Sequence, residues 1–414
     1  MLNSLFRAYL ALCVLLALCI GGLTQCQEKS ANQKGQTDAK KQLPKVDNGP
    51  KDKKIGDLAK FLAGISAGQQ GTWNTFESNA EWAKYAEIAN TQWAKIGEEK
   101  LKVMQNWRDS ALQEVNQAGG LLFYPFSGPD VLHAVTFFPN ADTIVMMGLE
   151  PIGKMPDLEK ISKAGMGAYF NALQKTLESI LGQSFFQTVQ MQTEFTGKVN
   201  AEIDGTLPVL LLFLARTNCE VLYYERVALT EDGKLVSATE NTEKNKKDKT
   251  YYATKIDFRQ GAEGKRQILY YFGVNLSDTA PYVGLGSLQE RTDLSKYLKQ
   301  LNITTTYLKS ASYQLHRPYF NVVRSLIVDR SRFILQDDSG LPFAKLTEGG
   351  HFDLTLFGRY AGPIPLFSTH VQKDMDDAYR KRTYPVKELP FGIGYQYKKG
   401  DSNLVLAKRK SKKS

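Results

Sequence analysis

Residues 121–151 read LLFYPFSGPDVLHAVTFFPNADTIVMMGLEP, and their pattern decides how the rest of the chain is parsed. Phe123-Tyr124-Pro125-Phe126 has the composition of a short extended segment. Ser127-Gly128-Pro129-Asp130 has that of a helix start. Ser127 is a capping residue, Pro129 is preset for a first turn, and Asp130 suits the positive end of a helix dipole. The helix predicted from here ends at Pro139-Asn140-Ala141-Asp142, and Thr143–Leu149 (TIVMMGL) is apolar on both sides, as a buried strand must be.

The same stretch holds Ser127, Asp130 and His133, the residue types of a hydrolytic triad. A nucleophile elbow needs small residues two positions either side of its serine, and here those positions are Pro125 and Pro129. Three residues spaced three apart lie in a row on one helix face, which is not a nucleophile–base–orienter geometry. The stretch is therefore expected to build structure, with Asp130 and His133 kept as candidate site residues.

Upstream, Trp82, Tyr85, Ala86, Ala89, Trp93, Ile96, Val103, Met104, Trp107, Ala111 and Val115 recur at three, four and seven. That spacing predicts one apolar face of a long helix interrupted near Gly97, and a tryptophan stripe at helical spacing is expected to pack in a core. Asp157–Leu181 is amphipathic and Ser184–Thr196 extends the helical pattern. Leu207–Leu214 (LPVLLLFL) is apolar on every side and far too short to span a bilayer.

Beyond Cys219 the period shortens. Val221–Leu229, Tyr251–Phe258 and Arg266–Asn275 are rich in Tyr, Val, Ile and Phe and are separated by turn residues, which predicts antiparallel hairpins. Helical patterns are read at Leu294–Leu301, around Thr304–Leu315, from Tyr319 to Val328 and at Val371–Lys381. Strands are read at Arg332–Gln336, Leu341–Leu346 and His351–Gly358, with a last hairpin joining Ile393–Lys398 to Leu404–Lys408. The expected fold class is α+β, a helix-rich N-terminal half packed with a mainly antiparallel sheet from the C-terminal half. The expected domains are one globular body over 55–407, divisible near 218, and a basic tail at 408–414.

The first 26 residues carry one cation, Arg7, then an apolar run from Ala8 to Ile20 and small residues at Gly21 and Gly22, the layout of a secretory signal peptide. Leu23-Thr24-Gln25-Cys26 closes the segment and resembles the lipobox of bacterial lipoprotein precursors, although Gln25 stands where that pattern has a small residue. The resemblance covers residues 1–26 alone and implies acylation at Cys26 and a membrane held through that lipid. Residues 27–54 contain no aromatic residue and two large aliphatics, too little to offset the entropy of ordering, so a disordered polar linker is expected.

The formal charge of +10 has a location. The linker holds eight lysines against four acids, and the last 17 residues hold seven lysines and arginines against one. The body is left near neutrality, which argues against a nucleic-acid partner. Cys219 is the one cysteine beyond residue 26, so neither a disulfide framework nor a thiolate zinc site is available.

Further chemical candidates are sparse. Asp338-Ser339-Gly340 matches the D-[ST]-G core of aspartic proteases, without a second copy and in the wrong flanking context, so a turn is expected. His351 and Asp353 alternate on one side of a predicted strand, and no pair of histidines has metal-ligand spacing. No metal site, no cofactor and no nucleotide motif is read. The sequence thus suggests an exported bacterial cell-envelope protein, lipid-anchored at Cys26, with a soluble binding or assembly body that meets envelope protein partners. The alternatives are a hydrolase with a site gathered from Asp130, His133, Asp338 and His351, and an apolar-ligand carrier with a cavity beside Leu207–Leu214.

Overall fold

Two short strands on either side of the quoted helix define the centre of the molecule. β1 (Leu121–Tyr124) and β2 (Thr143–Gly148) run parallel in the register Leu121↔Thr143 to Tyr124↔Met146. The computed structural model describes residues 49–68, 71–183, 203–238, 252–280 and 285–411. The signal segment with Cys26, most of the linker, the helix expected at Ser184–Thr196 and residues 412–414 lie outside them.

Helices precede β1. α1 (Lys53–Leu62) starts on an Asp52 cap, inside the expected linker, and α2 (Thr72–Glu77) leads into α3 (Ala80–Ile96). Where an interruption near Gly97 was expected, a π-helical turn over Gly97–Leu101 shifts the face before α4 (Lys102–Ala111) and α5 (Gln113–Ala118). The stripe is core: Trp82, Trp93 and Trp107 are buried, and Trp107 meets Phe137, Phe357 and Phe391 edge-on. Gly119 and Gly120, both at positive φ, turn the chain into β1, and a side chain at Gly120 would collide with Thr304.

α6 (Val131–Phe137) joins β1 to β2, followed by α7 (Leu158–Ala164), α8 (Met166–Gln183) and α9 (Leu207–Arg216), which is buried from Leu207 to Leu214. The C-terminal half supplies β3 (Cys219–Leu229), β4 (Leu235–Ser237), β5 (Tyr252–Gln260), β6 (Arg266–Gly273), α10 (Thr292–Gln300) and β7 (Ile303–Leu308). A 3₁₀ helix over Ser310–His316 leads to α11 (Asn321–Arg330), β8 (Phe333–Gln336), α12 (Phe343–Thr347), β9 (Phe352–Gly358), α13 (Lys373–Lys381), β10 (Val386–Lys387) and β11 (Asn403–Arg409). The fold is a mixed α+β arrangement, with helices concentrated early and most strands late.

The described strands form one sheet in the order β10-β9-β11-β8-β7-β1-β2-β6-β5-β3-β4. Its pairings divide evenly between parallel and antiparallel, and the parallel ones gather at the centre, where β8, β7, β1, β2 and β6 all run the same way. The hairpin arm of β3, β4, β5 and β6 is antiparallel, as its composition predicts. Successive side chains point to opposite faces. Leu122, Tyr124, Ile144 and Met146 pack with the N-terminal helices, while Phe123, Val145 and Met147 pack with α10 and α11 on the other face.

Three local expectations are corrected. The segment expected to be helical around Thr304–Leu315 is the central strand β7 followed by a 3₁₀ turn. Leu341–Leu346, expected to be a strand, begins the short helix α12 after Pro342. Ile393–Lys398 forms no hairpin with Leu404–Lys408; β11 is instead inserted between β8 and β9, antiparallel to both.

Candidate functional site

The chain leaves β1 toward β2 on one side and later returns to place β7 on the other, so a crevice opens at the carboxyl ends of β1 and β7 where the winding reverses. Ligands of open α/β sheets bind in such crevices. A cleft of about 780 Å³ occupies the place, lined from the ends of β1, β2, β6 and β7.

The turn after β1 shapes its floor. Phe126 and Gly128 both take positive φ, and Asp130, not Ser127, caps α6 by accepting from the His133 amide at 3.2 Å. Ser127 is buried, with its hydroxyl directed at the carbonyls of Gly128 (2.8 Å) and Met147 (3.2 Å). Gly128 lies against Gly148 at the end of β2, and the carboxylate of Glu150 rests beside both glycines. Side chains at 128 and 148 would close that approach.

Asp130 is the hub of a buried polar group. Its Oδ2 accepts from Tyr124 Oη at 2.8 Å and from Lys309 Nζ at 2.6 Å, and its Oδ1 lies 2.8 Å from His133 Nδ1. Asp130, His133 and Lys309 are each under 4% exposed. Burial pushes the imidazole of His133 below its ordinary value, and its Nδ1 faces both Asp130 Oδ1 and, at 3.1 Å, Lys309 Nζ. Burial alone would raise the Asp130 carboxyl, but the neighbouring His133 and Lys309 outweigh it and hold the carboxyl well below its usual range. Burial and the adjacent carboxylate push the Tyr124 phenol far up, so it stays a donor.

A second acid pair ends β8. Asp337 Oδ2 accepts from the Ser310 amide at 3.0 Å, and its Oδ1 accepts from the Ser339 amide at 3.0 Å and from the Ser339 hydroxyl. Asp338 accepts from the Tyr313 hydroxyl and, at 3.3 Å, from Asn403 Nδ2. Burial and the Asp338 charge push Asp337 up to about 7. Asp337-Asp338-Ser339-Gly340 is a turn, closed by the Gly340 amide on the Asp337 carbonyl, and it is buried behind Ser310.

The upper cleft is apolar. Phe126 meets Phe320 edge-on at 5.5 Å, Phe367 meets Tyr395 at 5.3 Å, and Leu366 is 78% exposed at the mouth.

Of the four residues singled out by sequence, Asp130 and His133 come together, with Asp130 lining the cleft. Asp338 lies behind the wall, and His351 is exposed at the start of β9, apart from the others. Lys309, Tyr124, Glu150 and Ser310 were not anticipated. Their shared signal is position, each standing at or just past the carboxyl end of a central strand. Among the described residues no group of three or more His, Cys, Asp or Glu could hold a metal. Burial pushes the Cys219 thiol up to about 12, which leaves it unreactive. Comparison with protein-family models, with curated proteins and with solved structures gave no match.

Proposed function

We propose that the cleft binds a small molecule built on a nucleoside without phosphates. The observation that carries this reading is the order of the parallel strands. Numbered along the chain, β6-β2-β1-β7-β8 is 3-2-1-4-5, the winding whose crevice between the first and fourth strands takes nucleotide ligands. This is an argument from fold-level analogy, and the side chains narrow it. Glu150 follows β2 about 20 residues beyond the glycine turn, where doubly wound folds carry the acid that bonds ribose hydroxyls.

Phosphates are disfavoured by the same geometry. α6 has seven residues, and its positive end is already capped by the Asp130 carboxylate. The floor holds two carboxylates, Asp130 and Glu150, against the one ammonium of Lys309. A neutral or cationic 5′ substituent suits it better than a diphosphate.

Isothermal titration of the full chain with adenosine, S-adenosylmethionine, ATP and NAD tests the reading. Adenosine or its sulfonium derivative binds, ATP and NAD do not, and Glu150→Gln weakens the nucleoside by about tenfold, the scale of one hydrogen bond to a charged group. Binding of ATP or NAD as tightly as adenosine, or of no nucleoside at all, would defeat it.

The cellular setting we propose is export to the bacterial envelope with a lipid anchor at Cys26. It is supported by the apolar N-terminal run and the polar linker that would hold the body off a membrane. The intact mass of protein extracted from its native membranes, beside Cys26→Ala, checks it: acyl mass lost in the variant supports the anchor, and cleavage without lipid removes it. The hydrolase and carrier alternatives gain no observation, since the cleft is lined by one of the four residues named for the first and by none of Leu207–Leu214.

A further inference from the structure

Both ends of the described chain leave from one end of the sheet. The central strands β8, β7, β1, β2 and β6 run the same way, and the cleft lies at their carboxyl ends. At the opposite end Gly49 lies against the guanidinium of Arg266, the first residue of β6, and Arg266 Nη2 donates to the Pro50 carbonyl at 3.0 Å. β11 runs antiparallel to β8 and so finishes at that same end. There the Arg409 amide bonds the Arg332 carbonyl at 2.8 Å and the Lys410 amide bonds the His351 carbonyl at 2.9 Å. Five strand spacings separate β6 from β11, so the two exits stand roughly 24 Å apart along one rim. The chain toward Cys26 and the chain beyond Lys410 both continue from the end remote from the cleft.

The second exit is a cationic corner. Arg330 closes α11, Arg332 precedes β8, and Lys408, Arg409 and Lys410 lie at the end of β11. Glu114 is shared between Lys408 at 2.7 Å and Arg332 at 3.6 Å, Lys410 lies 3.7 Å from Asp353, and Asp329 acts on Arg409. Lys345 and Glu348, ahead of β9, pair with each other at 2.7 Å and add nothing. Arg330 and Arg409 donate to carbonyls at the ends of α10 and α11, contacts that orient a guanidinium without cancelling its formal charge. The five cations therefore outnumber the three carboxylates, and Lys412 and Lys413 follow in the sequence. The cleft floor, by contrast, holds two carboxylates against one ammonium.

We propose that this corner docks on an anionic lipid surface, so that the protein stands with its cleft facing away from the membrane. Charge and direction favour lipid over a nucleic acid. The surplus is small and local on a body near neutrality, and the chain leading to the apolar N-terminal segment leaves from the same end. The cleft then faces the aqueous side and takes its ligand from solution. The sense of the anchor rests on the export reading above, while the corner's affinity for anionic lipid stands on the body alone.

Co-sedimentation of the full chain carrying Cys26→Ala, which has no acyl chain to bind with, tests the corner. The vesicles are phosphatidylcholine alone and phosphatidylcholine mixed with phosphatidylglycerol. The mixed vesicles are expected to bind more tightly, and the preference to shrink as salt is raised. Arg332→Gln with Lys410→Gln, both exposed, should lower that preference roughly 25-fold, at about fivefold per charge, with the thermal melt unchanged. Lys398→Gln with Lys399→Gln removes the same charge from the turn that follows Tyr395 of the cleft wall, and leaves the preference intact. Direction is read with brominated lipids: the added tryptophan of Ser411→Trp is quenched, and that of Leu366→Trp at the cleft mouth is not. The proposal is overturned by equal binding to the two vesicles, by equal loss from the two double variants, or by quenching in Leu366→Trp. Tighter binding of a DNA duplex than of the mixed vesicles overturns it too, assigning the corner to nucleic acid. Every sample lacks Cys26, so failure of the lipid anchor produces none of these outcomes, and the acyl mass of the wild type decides the anchor separately.

Discussion

The Asp130–Lys309 pair is the sharpest test of how the cleft floor is held. Asp130→Asn keeps the size of the side chain, the cap on α6 and an acceptor for Tyr124, but leaves an ammonium 3% exposed without its counter-charge. Lys309→Met keeps the length of the lysine and leaves the carboxylate. Breaking a buried pair from one side costs about 3–5 kcal/mol, because the orphaned charge remains in a poorly solvating site. Removing both charges leaves no such orphan, so Asp130→Asn with Lys309→Met should cost well below the sum of the singles. Urea denaturation at pH 7, read from midpoints and slopes, measures all four corners of the cycle. The Asp130 carboxyl is depressed below its ordinary 3.8 in the folded state. Its contribution is therefore present above about pH 4 and is lost as the pH falls further. The gap between the wild type and Asp130→Asn should close on acidification through that window. Two singles that cost under about 1 kcal/mol each and add in the double would refute the idea of a desolvated charge pair.

Three further outcomes follow from neighbouring geometry. Asp337 is raised to about 7 in the folded state, so the native protein holds a proton that the unfolded chain has released, and stability from this group falls as pH rises from about 4 to 7. Asp337→Asn should flatten that decline in urea midpoints taken between pH 4.5 and 8, and an unchanged slope would sink the assignment. Gly394 has φ +66 and a side chain there would overlap the Asp337 carboxylate, so Gly394→Ala should cost more than about 2 kcal/mol; a neutral calorimetric result would contradict the packing. Trp107→Ala should cost about 3–5 kcal/mol by emptying the space among Phe137, Phe357 and Phe391, whereas a stable variant would reopen a surface role for the tryptophans.

What the sequence revealed of the fold follows from where each element sits. α3 packs one face on α1, α8 and α9, so Trp82, Tyr85, Ala86, Ala89 and Trp93 repeat at helical spacing, and Gly97 marks where the repeat slips. β7 lies at the centre of the sheet, buried on both faces, and its Thr305 and Thr306 are buried too, Thr306 pairing with Ser331 at 2.7 Å. ITTTYL therefore lacks alternation, and Tyr313 and Leu315 of the following 3₁₀ turn lend it a helical look. β11 was assigned the partner nearest in sequence, but its partners β8 and β9 lie some 50–70 residues upstream. Parallel neighbours are necessarily remote in sequence, because each crossover takes a dozen or more residues. Local composition can signal a hairpin but carries no trace of such a pairing.

The site follows the same rule. Asp130 and His133 were legible because one helical turn joins them, which is a local fact. Lys309 reaches Asp130 from 179 positions away, and it and Glu150 come to line one cleft only once β2 and β7 stand on either side of β1. Misplacing β7 as a helix therefore removed more than one strand. It removed the reversal in winding, hence the crevice, hence any reason to look at the residues just beyond Leu308. The triad-like trio drew attention to the correct turn for a chemistry that its geometry does not perform, since the Ser127 hydroxyl is directed at backbone carbonyls. The turn matters because it brings a capped helix, a buried carboxylate and Gly128, packed against Gly148 of β2, to the end of the first central strand, and those features shape the floor of the cleft.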